Sequence, residues 1–171
     1  MIESLDIDRL FSFLVAALLL CLGVQTATGQ TPEPSEPVVG FTINLHHTEH
    51  LDKYLASIDQ VAAMGCNTLQ VITPAWQHNG ASSEVYYKPG PGGGPTRDQL
   101  LTLLSHAKQR GLRTALMVTV LLEKPRGSEW RGKIMPGDWD TWWDHYRRVI
   151  HQAMDVALEA KVDDFAVGSE L

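Results

Sequence analysis

Four apolar, β-branched stretches alternate with three amphipathic ones along this chain, and that alternation predicts the architecture. Val38–Leu45 (VVGFTINL) follows Pro37 and reads as a buried strand. Leu51, Tyr54, Leu55, Ile58, Val61 and Ala62 then recur at helical spacing, in a helix opened at Thr48 or His50 and closed by Gly65. Asn67–Thr73 (NTLQVIT) predicts a second strand, ended by Pro74. Residues 77–95 form a long loop containing P-G-P-G-G-G-P, read as flexible and placed to edge a cleft. Thr96 and Gln99 have capping-box spacing and open a helix through Leu100, Leu101, Leu103, Leu104 and Ala107, closed at Gly111. Leu112–Leu122 is the third strand. After a loop over 123–137, Asp138 caps the longest helix, with Trp139, Trp142, Trp143, Tyr146, Val149, Ile150, Ala153, Met154 and Ala157 on its apolar face. A fourth strand starts at Val162.

The order is β-α-β-α-β-α-β. The helix ends Gly65, Gly111 and Lys161 follow one another at 46 and 50 residues, and each runs directly into a strand. Short helix-to-strand turns and long strand-to-helix loops are the asymmetry of a barrel that works at its C-terminal rim. A doubly wound sheet is the rival, but the first turn, L-H-H-T, lacks a G-x-G-x-x-G. The expected fold class is therefore α/β, a partial (β/α)8 TIM barrel of four strands and three helices. An isolated half-barrel leaves two sheet edges and an inner apolar face uncovered, so a fragment of a longer product or half of an assembly is expected.

Glu170 draws attention within this frame. It ends the run F-A-V-G-S-E, where an apolar strand gives way to glycine and then to a carboxylate. Barrel enzymes place catalytic groups at such positions. The bland alternative is a surface carboxylate near a chain end.

Composition narrows the partners. A net charge of −6 argues against nucleic acid. Cys21 and Cys66 make no disulfide framework, and Cys66 reads as a small buried filler. Leu10–Val24 is an apolar run too short for a regular span but suited to a signal peptide. Ala27-Thr28-Gly29 offers a cleavage site before Gln30, although Glu3, Asp6 and Asp8 are atypical ahead of such a run. Residues 1–29 are thus read as a signal peptide or membrane anchor, 30–37 as a Pro-rich linker, and 38–171 as the folded part. Export to the periplasm or the exterior is expected, with membrane attachment only through an uncleaved leader.

Three stretches together carry a family resemblance. Residues 130–146 (WRGKIMPGDWDTWWDHY) and 162–171 (VDDFAVGSEL) resemble glycoside hydrolase family 113, supported by Trp76-Gln77 and by T-R-D-Q-L…A-K-Q-R-G-L-R around the second helix. The resemblance implies a retaining-glycosidase barrel with endo-β-mannanase activity, and it gives Glu170 the acid/base role. Retaining glycosidases need a second carboxyl group about 5 Å away as nucleophile. The resemblance places that group at the end of strand seven, beyond this stretch, so the chain is expected to be inactive alone. The third strand departs from the family. Relatives read K-P-H-V-D there, whereas Lys124-Pro125 is followed by Arg126, Gly127 and Ser128. A vestigial or non-catalytic carbohydrate-binding segment is the alternative.

With a β-linked, mannan-like carbohydrate as the expected partner, Trp76 and Trp130 read as stacking platforms or as loop-packing aromatics. Arg131 reads as a ligand for a sugar hydroxyl or as the partner of an acidic neighbour. His46 and His47 read as rim contacts to substrate or ordinary loop residues. Together with His50 they form H-H-T-E-H rather than H-E-x-x-H, so no metal is expected. No cofactor is required, since two carboxyl groups suffice for the chemistry. Trp139 and Trp142 are expected to pack, and Asp163 and Asp164 to serve structure at the strand's far end.

Overall fold

A computed structural model describes residues 37–46 and 48–169. The leader, nearly all of the linker, His47 and Glu170 lie outside the described residues. The strands are β1 (Gly40–Asn44), β2 (Thr68–Gln77), β3 (Val85–Tyr86), β4 (Arg113–Leu122) and β5 (Asp164–Ala166). The helices are α1 (Leu51–Ala63), α2 (Arg97–Gln109) and α3 (Trp139–Glu159), with short 3-10 turns at Thr48–His50 and Arg131–Lys133. The parallel strands lie in the order β1-β2-β4-β5, the order of the chain, and β3 adds to β2 in antiparallel sense.

All three helices cover one face. Leu69 and Val71 of β2 and Leu116 of β4 share a core with Ile58 and Val61 of α1, Leu103 and Leu104 of α2, and Val156 and Ala157 of α3. A second cluster joins Ala75, Val118 and Val120 to Trp142, Tyr146 and Ile150. Sequential strand order with helices on a single face is a segment of a barrel wall, not a doubly wound sheet. Each fully buried leucine, isoleucine or valine contributes about 1.5–3 kcal/mol of apolar transfer.

The helix ends follow the sequence closely. Thr96 Oγ1 accepts from Gln99 N at 3.2 Å, while Gln99 Oε1 accepts from Thr96 N at 2.9 Å, completing the capping box of α2. The Asp138 carboxylate accepts from the N–H groups of Asp140 and Thr141 at the start of α3. Gly65 ends α1 at φ +79°, where a side chain would be strained.

Several elements differ from expectation. β2 continues through Pro74 to Gln77. Ile72 O accepts from Leu45 N, so by alternation Pro74 turns its missing donor to the same side, beyond the end of β1. The long loop is not a plain flexible segment. It contains β3, and its glycine-rich part closes on itself through Gly94 N to Lys88 O (2.7 Å) and Gly90 N to Gly94 O (2.9 Å). A Cβ on Gly93 would fall 1.8 Å from Lys88 O, so only glycine fits there.

On α3, Trp142 is buried, but Trp139, Trp143 and Met154 are exposed. The apolar stripe of this helix is wider than the sheet it covers. The inner face of the sheet is also more polar than expected. By strand alternation Thr42, Asn44, Thr68, Gln70, Arg113 and Asp164 occupy it, with Thr42 Oγ1 donating to Gln70 Oε1 at 2.9 Å. Asp164 binds Arg113 through two hydrogen bonds of 2.7 and 2.8 Å. Asp163 accepts from Lys108 and from Thr114. Both aspartates thus serve structure at the N-terminal end of β5.

Candidate active site

The C-terminal ends of the parallel strands converge on one rim, where the long loops begin. β2 and β4 run side by side for ten residue pairs, ending at Gln77 and Leu122. The ladder extends into the loops through Glu123 N to Gln77 O (2.8 Å) and Lys124 N to His78 O (2.7 Å). The next carboxylate in line is Glu123.

Glu123 is the centre of the rim's charge. Its Oε1 accepts from Lys88 Nζ, its Oε2 accepts from Tyr86 Oη at 2.9 Å, and His78 Nδ1 lies 3.7 Å away. The Lys88 ammonium and the Tyr86 hydroxyl hold its pKa down to about 2, against a smaller opposing effect of burial. Burial, reinforced by Glu123, pushes Tyr86 up to about 12. Glu123 is therefore an ionised acceptor across the neutral range and cannot donate a proton there. In the sequence Glu123 opens the loop over 123–137. The signal was present, because Glu123 follows a barrel strand just as Glu170 does.

Trp76 lies beside this cluster. It is half-buried, its Nε1 has no hydrogen-bond partner among the described residues, and Lys88 Nζ stands 5.8 Å from its ring centroid. The ammonium occupies part of the ring's surroundings, an interaction of about 0.5–1 kcal/mol at exposed sites. Trp76 also pairs with Tyr86 across the β2–β3 bridge, so it belongs to a packed wall rather than to an isolated platform.

Trp130 is different. It is 51% exposed, and the six-membered part of its indole lies on Gly132, where an added Cβ would come within 2.3 Å of the ring. This contact explains the glycine of W-R-G: the tryptophan folds over it. Arg131 between them is half-buried and starts the 3-10 turn.

A second carboxylate fastens the loops. Glu129 accepts from Gly80 N (3.1 Å), Arg126 N (2.8 Å) and the Arg126 guanidinium. Arg126 as donor, together with the two backbone N–H groups, holds its pKa down to about 2. Met135 N to Gly80 O, Gly137 N to Ala81 O and Asp138 N to Ser83 Oγ complete the seam between the loops after β2 and β4. Arg126, where the family pattern has histidine, is thus committed to Glu129.

Beneath the rim, Gln77 is fully buried and fully satisfied. Its Nε2 donates to Asn79 O and Ser82 O at 2.8 Å each, and its Oε1 accepts from Trp142 Nε1 at 2.9 Å. Trp142 stacks on Tyr146 at 5.0 Å and 16°. The Tyr146 hydroxyl donates to Val167 O, just past β5, and burial pushes its pKa up to about 12. A continuous series of contacts therefore runs from β2 through α3 to the segment that leads into Glu170.

Of the residues singled out in the sequence, the structure sets Trp76 beside the Glu123 cluster and Trp130 on the neighbouring loop. His46 is half-buried directly after β1. His47 and Glu170 lie outside the described residues. Among the described residues, no three His, Cys, Asp or Glu side chains converge as a metal site, and no helix is long and apolar enough to cross a membrane.

Comparison with known proteins agrees with this geometry. The family model described as Glycoside Hydrolase Family 113 matches residues 42–171. Among solved structures, a GH113 β-1,4-mannanase complex superposes with a TM-score of 0.65 at 25% identity, covering 79% of this chain and 46% of its own. The GH113 β-mannanase AaManA from Alicyclobacillus acidocaldarius, in complex with ManMIm, superposes with a TM-score of 0.67 at 20% identity, covering 78% and 45%. A GH20 β-N-acetylhexosaminidase from Streptomyces coelicolor A3(2) shares the fold more distantly, with a TM-score of 0.51 at 15% identity. The chain spans less than half the length of each of these structures. A search of curated proteins found no match.

Proposed function

The chain belongs to glycoside hydrolase family 113, and on that premise we propose that it carries the acid/base half of a retaining hydrolase acting on β-linked, mannan-type polysaccharides or oligosaccharides. The observation that carries this reading is the match over residues 42–171, which extends in sequence past the fourth parallel strand and through G-S-E-L. Glu170 is the acid/base in this reading. It protonates the departing glycosidic oxygen, then takes a proton from the water that releases the sugar from the enzyme. The nucleophile is a carboxylate about 5 Å away, supplied by further β/α units. Two features support such units. Trp143, Met154 and Leu158 leave an exposed apolar stripe along α3, and Val167 is exposed beside the open edge of β5.

Within this proposal Trp130 is the sugar-stacking face, and Glu123 accepts hydrogen bonds from substrate hydroxyls. Trp76, Arg131, His46 and His47 are further substrate contacts in this reading. The apolar run over residues 10–24 exports the protein, as a cleaved signal or as an anchor. The test is the reading frame that contains these residues. Four further β/α units with a carboxylate ending the seventh strand, in a product that cleaves β-mannan with retention of configuration, is the expected result. A longer product that inverts configuration, or that leaves every β-linked glycan intact, would overturn it.

One observation favours a second reading, a non-catalytic carbohydrate-binding segment. Arg126 and Glu129, at the altered exit of the third parallel strand, bind each other rather than facing a substrate. Mannan binding without hydrolysis by the longest product of the frame, unchanged in Glu170→Gln, would select it.

A further inference from the structure

The helix-covered side of the sheet holds two cavities beside the rim just described, the second of which shares Tyr86 with it. One, of about 250 Å³, lies between Thr73 of β2, the loop after β3 and the start of α2. Its walls are mainly apolar, including Pro89, Leu100 and Val156. The other, of about 310 Å³, lies between β3 and α3 and is polar, with Glu84, His145 and Arg148 on its walls. The cavities share Tyr87 and Gln152. Each is near the lower end of the range for small-molecule sites, about 300–1,000 Å³.

Two buried polar atoms belong to these walls, Tyr87 Oη and His145 Nδ1, and neither has a hydrogen-bond partner among the described residues. Leaving such a group unsatisfied costs about 1–3 kcal/mol, so a side-chain rotation that turned either atom toward a ligand hydroxyl would regain a hydrogen bond. Thr73 and Trp76 lie on opposite faces of β2 by alternation, which sets this flank apart from the Trp76 wall.

We propose that this flank binds a neutral saccharide, with a pyranose ring spanning the two cavities. The ring's C–H face packs on Pro89, Leu100 and Val156. Its hydroxyls meet Tyr87, Gln152 and His145, all of which can either donate or accept. Charge argues for a neutral ligand: Glu84 and Arg148 share the polar wall, and Arg97 at the apolar cavity is already paired with Glu159. The glycine-rich loop contributes Pro89 and Pro95 to the wall of the apolar cavity.

The test is a titration of the chain with β-1,4-mannotetraose and with cellotetraose, followed by the aromatic NMR signals of Tyr87 and His145. Saturable shifts of both are expected, weakened at least tenfold in the Arg148→Ala/Gln152→Ala double variant and unchanged in Trp130→Ala and Glu170→Gln. Both α3 positions are exposed and alanine favours helix, so the melting temperature should hold. Shifts confined to Trp76 and Trp130, no saturable shift with either sugar, or equal affinity in a folded double variant would overturn the proposal. The readout involves no hydrolysis, so it stands or falls separately from the catalytic reading.

Discussion

Gln77→Met is the sharpest probe of how the rim is held. Methionine has nearly the same length and volume, so the cavity left is small and the loss is chiefly polar. Three hydrogen bonds disappear: Nε2 to Asn79 O and to Ser82 O, both 2.8 Å, and Trp142 Nε1 to Oε1, 2.9 Å. Each contributes about 0.5–1.5 kcal/mol net, and the indole N–H left buried beside an apolar chain adds a desolvation penalty, for a total of about 3–5 kcal/mol. Domains of this size are stable by about 5–15 kcal/mol in all. Urea unfolding followed by tryptophan fluorescence measures the loss, with Trp142→Phe and the double variant completing a cycle. A coupling of about 1–2 kcal/mol between the two sites is expected for residues in direct contact. A loss below about 1 kcal/mol, or strict additivity, would refute the claim that this buried amide joins β2 to α3.

Other expectations concern the rim. Lys88→Met removes the main group depressing Glu123, so the Glu123 carboxyl should titrate closer to its ordinary range than about 2 in a carbon-detected NMR titration; an unmoved value would contradict the assignment. The folded pKa of Glu129 is depressed, so the loop seam it makes contributes fully above the ordinary glutamate range, declines as pH falls below it, and is gone once pH passes below about 2. Amide exchange at Gly80 and Arg126 should accordingly stay slow down to about pH 3, and faster exchange by pH 4 would count against it. Gly132→Ala places a methyl within 2.3 Å of the Trp130 ring and must displace it. A changed Trp130 environment by fluorescence, with stability altered by less than about 1 kcal/mol, is expected for this exposed turn.

Much of the fold was legible because its determinants are local. The capping box at Thr96, the Asp138 cap, the glycine stops and the strand alternation each act within a few residues, and the structure shows each in place. Pro74 misled because its tolerance depends on where β1 ends, which is tertiary information. β3 was missed for a similar reason. Two residues pair only because β1 leaves the end of β2 open on that side. Trp139 and Trp143 have core spacing on α3, yet helical periodicity cannot tell how wide the covering surface is, and both remain exposed.

The site was legible in outline only. Strand polarity pointed to the rim at which the long loops gather, and the W-R-G motif acquires a steric reason in the seat that Gly132 provides for Trp130. The Glu123 cluster joins residues from β3, its following loop and the end of β4. No periodicity brings Tyr86, Lys88 and Glu123 together; the antiparallel turn of the chain at β3 does. Arg126 looked like a broken family pattern in the sequence, and its partner Glu129 became visible only in the folded loop.

Hydrolysis of β-1,4-mannan by the longest product of this reading frame, compared between native protein and Glu170→Gln, tests the central claim most directly. General acid/base assistance contributes about 10²–10⁴-fold, and a loss of kcat/KM in that range is expected on mannan. A substrate whose leaving group needs no protonation should retain its first step in the variant. Equal loss on both substrates, or no loss on mannan, would contradict the assignment of Glu170 as the acid/base.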